Sequence, residues 1–173
     1  LKNAIELRLI ETQLERAKGC REDGDPTMIC MLTAEVRVAS GGEVDLLALK
    51  CDIASASDCE HVMRNVVSKH GRIDCLVNSA GIVRSQSLLD IDEASYDLIV
   101  DVNMKGAFNL CQSALRVMAA QRSGVIVNVA SAAAQRGGGL VGGAHYAAAK
   151  GGFVSLTRTI AREFGPIGIR ANA

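Results

Sequence analysis

"IDCLVNSAG" (73–81) runs apolar from Ile73 to Val77 with one acidic interruption, then turns at once into small and polar residues. A short apolar run without in/out alternation fits a strand buried on both faces, as in a parallel sheet flanked by helices. Two further stretches have the same character, "VDLLALKCD" (44–52) and "GVIVNVAS" (124–131), and "IGIRANA" (167–173) begins a fourth strand. The segments between them carry helical spacing. "SASD" (55–58) is a capping box that opens a helix to about His70, closed by Gly71. Residues 92–121 place Met104, Phe108, Cys111, Leu115 and Met118 on one stripe, and 146–164 do the same with Ala149, Phe153, Leu156, Ile160 and Phe164. The stretch 132–145 reads as a flexible loop. Upstream, Leu7, Ile10, Leu14 and Ala17 predict an amphipathic helix over 1–18, "GCREDGDP" (19–26) a loop, and 28–40 a second helix ended by Gly41 and Gly42. Alternating strands and helices predict an α/β fold: a doubly wound parallel sheet with helices on both faces. The expected organisation is one domain, with an unassigned helical segment at 1–27 and the core at 28–173.

Composition narrows the function. At 49% hydrophobic residues the chain is not disordered, and 19 basic against 19 acidic residues point to neither nucleic acid nor an anionic membrane as partner. No apolar run reaches the roughly 18 residues a spanning helix needs, and no signal peptide is visible. Six cysteines show no C-x-x-C pair and no metal-ligand spacing. They read as reduced core thiols of an intracellular, cytoplasmic protein without a metal.

In an open parallel sheet, ligands bind beyond the carboxyl ends of the strands. That rule selects Asp52, the turn Asn78-Ser79-Ala80-Gly81, and Ser131. Each has a plain structural reading as well: an exposed Asp at a helix approach, a strand-to-loop turn, a turn serine. Asn103 lies inside a helical stretch that Asn disfavours, so it predicts a kink or an ordered water. Tyr146 and Lys150, in "AHYAAAK" (144–150), stand four apart and become neighbours on a helix. A Lys at that spacing from a Tyr arises by accident roughly 7% of the time, so the pair decides nothing by itself.

Taken together, "DI" (52–53), "LVNSAGI" (76–82), "DVNMKGAFN" (101–109), "IVNVAS" (126–131), "HYAAAKGGFVSLTRTIARE" (145–163) and "GIRANA" (168–173) resemble the short-chain dehydrogenase/reductases, in that family's order. The resemblance implies a Rossmann-like fold and an NAD or NADP cofactor. It implies an oxidoreductase that interconverts a secondary alcohol and a ketone through a Y-x-x-x-K pair. Tyr146 is cast as acid/base, Lys150 as its partner, Ser131 as the carbonyl anchor and Asn103 as water organiser. Asp52 and Ile53 would meet the adenine, while Asn78, Ala80 and Gly81 flank the cofactor with Tyr146 and Lys150. An ammonium beside a phenol favours the phenolate, which suits these roles. The resemblance also implies a homodimer or homotetramer through the helices at 102–121 and 146–164. Two departures stand out. The Gly-rich TGxxxGxG loop is missing, since no Thr-Gly dipeptide occurs and "RGGGLVGG" (136–143) lies between Ser131 and Tyr146. The C-terminal substrate region is missing too, so the chain reads as truncated at both ends. The alternative is therefore a catalytically silent relative that binds partners.

Overall fold

The computed structural model describes residues 4–10, 30–37 and 45–173. Six strands form one sheet in the order β3-β2-β1-β4-β5-β6. They are β1 (Ala4–Ile10), β2 (Cys30–Arg37), β3 (Asp45–Cys51), β4 (Cys75–Asn78), β5 (Gly124–Asn128) and β6 (Ile169–Asn172). The pairs β1–β4, β4–β5 and β5–β6 are parallel, whereas β1–β2 and β2–β3 are antiparallel. Five strands therefore run one way and β2 alone runs against them. Strand order reverses between β1 and β4, which makes the crevice beyond the end of β4 the ligand position of such a sheet.

Two expectations are corrected. The helices placed over 1–18 and 28–40 give way to strands at Ala4–Ile10 and Cys30–Arg37. In the first, Leu7 and Ile10 fit a helical stripe, but "AIELRLI" also alternates apolar and charged residues, the period of a strand. In the second, "CMLTAEVR" carries the β-branched Thr33 and Val36, which favour a pleated strand. The loop placed at 19–26 and the glycine stop at 41–42 lie outside the described residues.

The remaining elements follow the sequence closely. Helix α1 (Ala56–His70) starts where the Ser55 hydroxyl accepts from the Asp58 amide at 3.3 Å and ends at Gly71, φ 77°, a left-handed cap that a side chain would strain. The long helix expected over 92–121 is instead α2 (Glu93–Val100), one π-helical turn (Asp101–Gly106) and α3 (Ala107–Gln121). The expected loop at 132–145 contains a short helix, α4 (Ala133–Arg136), and α5 runs Ala144–Phe164. Right-handed crossovers that all advance in one direction put α1, α3 and α5 side by side on one face. The core lies beneath them, where Leu76, Ile126 and Ile169 of the sheet meet Val62, Val66, Leu110, Met118 and Ile160. No described helix is long and apolar enough to cross a membrane, and no cluster of possible metal ligands occurs among the described residues.

Candidate active site

The end of β4 is tied down from three directions. The Asn78 carbonyl accepts from the Val129 amide at 2.9 Å, and the Val129 carbonyl accepts from Lys150 Nζ at 2.9 Å. One residue beyond β5 thus links the turn after β4 to helix α5. Lys150 is only 4% exposed, and its ammonium also sits 5.0 Å from the centroid of the Phe153 ring. A buried ammonium needs such partners, because an uncompensated charge in the interior is expensive.

Asn103 closes the same turn from the other side. Its Nδ2 donates to the carbonyls of Ile82 (2.8 Å) and Ile99 (2.9 Å), and its Oδ1 accepts from the Ile82 amide at 3.2 Å. Asn103 lies in the π-helical turn, and its side chain donates back to the Ile99 carbonyl of the preceding helix. Gly81 makes the closeness feasible. A Cβ there would stand 2.6 Å from Asn103 Oδ1 and 3.4 Å from Lys150 Nζ. Only a residue without a side chain lets these two groups converge on the turn.

Tyr146 and Lys150 lie one turn apart in α5. Tyr146 is 7% exposed and packs with Ile99 and Ala133. Ser131 follows β5, and its Oγ accepts from the Ala133 amide at 3.2 Å, which leaves the hydroxyl proton available to donate. Ala133 therefore joins the serine turn to the tyrosine. The loop before α5 is held against the segment after β4: the Gly143 amide donates to the Arg84 carbonyl at 2.8 Å, and the Gly142 amide to Ser85 Oγ at 3.3 Å.

The other residues singled out by sequence sit differently. Asn78 is fully buried beneath α3, donating from Nδ2 to the Ala107 carbonyl at 3.4 Å, so its side chain braces strand to helix. Ala80 is buried. Asp52 is exposed, with Oδ1 accepting from the Ala54 amide at 2.9 Å. Ile53 is buried against Gly106, and its carbonyl accepts from Asn109 Nδ2 at 3.0 Å and from the Cys59 thiol at 3.5 Å.

Sequence reasoning passed over three buried polar residues. Asn109 ties α3 to the end of β3 through the carbonyls of Ile53 and Ala54. Asn128 donates to Thr157 Oγ1 at 2.9 Å and accepts from the Cys111 thiol at 3.5 Å, joining β5 to α5 and α3. His145 precedes Tyr146. For the first two the signal was present as a polar residue inside an apolar run. Cys51, Cys59 and Cys111 are free thiols. Burial pushes the Cys111 thiol up to about 11, so it stays protonated at neutral pH.

Comparison with known proteins agrees with this geometry. The sequence pattern of the short chain dehydrogenases matches residues 15–173. A 3-oxoacyl-[acyl-carrier-protein] reductase of Staphylococcus aureus is 40% identical over 130 residues, 75% of this chain and 52% of that protein. The corresponding reductase of Thermotoga maritima is 40% identical over 144 residues, 82% of this chain and 57% of that protein. Among solved structures, NAD+-bound xylitol dehydrogenase superposes with a TM-score of 0.69 at 32% identity, covering 72% of this chain and 48% of that one. The structure of gox2181 gives 0.70 at 33% identity, covering 72% and 49%. The chain spans about half the length of the curated relatives it matches.

Proposed function

The chain belongs to the short-chain dehydrogenase/reductase family, and from that premise we propose that it carries the catalytic half of an NAD(P)-dependent oxidoreductase interconverting a secondary alcohol and a ketone. The observation that supports this best is the convergence of Asn103, Gly81 and Lys150 on the turn after β4, with Ser131 and Tyr146 joined through Ala133. The described residues fit the nicotinamide–ribose end of such a cofactor, because Ser131, Tyr146 and Lys150 gather beyond the carboxyl ends of β4 and β5 beside the switch point. No Gly-rich pyrophosphate turn is found among them. Asp52, exposed just beyond β3, would meet the adenine, with Ile53 packed beneath it.

Hydride transfer is the chemistry the nicotinamide supplies when bound. The protein's part is to orient and to move one proton. Ser131 Oγ donates a hydrogen bond to the substrate oxygen and fixes its position. The Tyr146 hydroxyl gives that oxygen its proton on reduction and takes it back on oxidation. Lys150, held by Val129, presents positive charge one helical turn away. Asn103 has both Nδ2 hydrogens committed, so any water it orders is held by Oδ1 or its main-chain carbonyl. The names of the relatives make a 3-oxoacyl thioester the first ketone to assay.

The same reading places a second copy of the chain against α3 and α5, giving a homodimer or homotetramer, and the protein in the cytoplasm. Between those helices runs an apolar groove of about 500 Å³, lined among others by Phe108, Leu115, Leu156, Ile160 and Phe164. Phe108 is 43% exposed there.

Titration with NADH and NADPH, followed by nicotinamide fluorescence, tests the proposal. Saturable binding is expected, with turnover abolished and binding spared in Tyr146→Phe. Binding that is absent or no tighter than millimolar would favour the silent, partner-binding reading. Near-full kcat in Tyr146→Phe would remove the tyrosine from the reaction.

A further inference from the structure

The glycine-rich stretch "RGGGLVGG" (136–143) lies between Ser131 and Tyr146, and the proposed reaction gives it no task. Two successive amides tie its end to the segment after β4. Gly143 donates to the Arg84 carbonyl at 2.8 Å and Gly142 to Ser85 Oγ at 3.3 Å. That segment is itself held. Asn103 binds both the amide and the carbonyl of Ile82, and Arg84 Nη1 donates to the Oγ of buried Ser95 at 3.1 Å. Gly142 in turn lies directly against the tyrosine. A Cβ on Gly142 would run into Tyr146 Cδ1 and stand 2.8 Å from Cγ, and its φ of 75° belongs to the left-handed region. Ile99 and Ala133 pack on the same ring.

We propose that Ser85 is a positioning residue for Tyr146: it holds Gly142 against the phenol ring and so keeps the hydroxyl aimed at the substrate oxygen. The effect on turnover rests on the oxidoreductase reading, whereas the effect on the ring does not. A reacting group works only within a narrow range of placement, so a loop that confines its ring aids the reaction without touching substrate. Glycine turns as readily to positive φ as to negative, so a loop with five glycines in eight residues needs anchors to keep one shape. Arg84 and Ser85 supply them at the two glycines nearest the ring. Farther out the loop packs on little, with Leu140 94% exposed. Ser85 is the anchor that substitution can remove by itself, because the Arg84 bond is made by main chain.

The chain has two tyrosines and no tryptophan, so in a Tyr96→Phe background tyrosine fluorescence reports Tyr146 alone. Acrylamide quenching, measured without cofactor, should be weak in that background, where the ring is buried, and stronger once Ser85→Ala is added. Ser85 is exposed, so the fold survives the change. Ser85→Thr keeps a hydroxyl in place and should return quenching to the starting level. In turnover with NADH or NADPH and a ketone, Ser85→Ala should lower kcat about fivefold, the worth of one hydrogen bond, and leave the cofactor KM unchanged. Quenching unmoved by Ser85→Ala would overturn the proposal, as would a Ser85→Thr no better than Ser85→Ala. Full kcat in Ser85→Ala would do the same. A fall in kcat matched by a rise in cofactor KM would mark a merely structural role and overturn it too. Quenching that responds as expected in a chain without turnover would fail the oxidoreductase reading alone.

Discussion

Two neighbouring clusters in this molecule treat buried polar groups in opposite ways. Around Gly81, Asn103 spends both of its N–H groups and its oxygen on backbone, and Lys150 is anchored to Val129. Around His145, a few residues away on α5, both ring nitrogens stay without a partner. The first cluster has its hydrogen bonds made before any ligand arrives, which is what preorganisation requires. The second leaves a polar group unmatched inside the protein, at a cost of about 1–3 kcal/mol. The contrast separates residues whose hydrogen bonds hold a site in shape from one that is buried at a net cost.

Opposite signs on substitution are the clearest way to break that comparison. Asn103→Ala strips partners from the Ile82 amide and the Ile82 and Ile99 carbonyls, and should cost about 3 kcal/mol in denaturant unfolding. A loss under about 0.5 kcal/mol would mean the knot is decorative. Gly81→Ala comes next, at about 2 kcal/mol, because its Cβ would stand 2.6 Å from Asn103 Oδ1. In a double mutant with Asn103→Ala that penalty should shrink, and full additivity would show that the two do not meet. His145→Phe should go the other way and stabilise by up to about 1 kcal/mol, since it removes an unsatisfied buried group and keeps the ring. Destabilisation of that size would reveal a partner the imidazole needs.

The smallest effect is a pH slope. The folded-state pKa of His145 lies below its unfolded value, so the unfolded chain binds the proton first. Stability therefore falls as pH drops through the ordinary histidine range, about 6.5. Arg84, Asp92, Glu93 and Tyr96 are the charged and titratable groups around the ring, and Arg84 opposes its protonation. Melting temperature measured between pH 7.5 and 5.5 should fall less in His145→Phe than in the parent. Parallel curves would show that the ring is solvated.

Much of the candidate site was legible in the sequence. Ser131 ends an apolar run, and Tyr146 and Lys150 are spaced by one helical turn, so local patterns place all three. Asn103 announced a kink because Asn is a poor helix residue, and a π-helical turn sits there. The N-terminal strands were not legible. "AIELRLI" satisfies both a helical stripe and an alternating strand over so few residues, and only pairing with β2 and β4 chooses between them. Nor does the direction of β2 follow from its own composition, since parallel and antiparallel pairing draw on the same residue types.

The sequence by itself determined the α/β alternation, the family and the order of the chemical residues, because these rest on periodicity and spacing along the chain. Tertiary structure alone decided which polar groups are satisfied. Whether Asn103 is spent and His145 is open depends on what the turn after β4 and the start of α2 bring against them, and those partners lie between 4 and about 60 residues away in the chain.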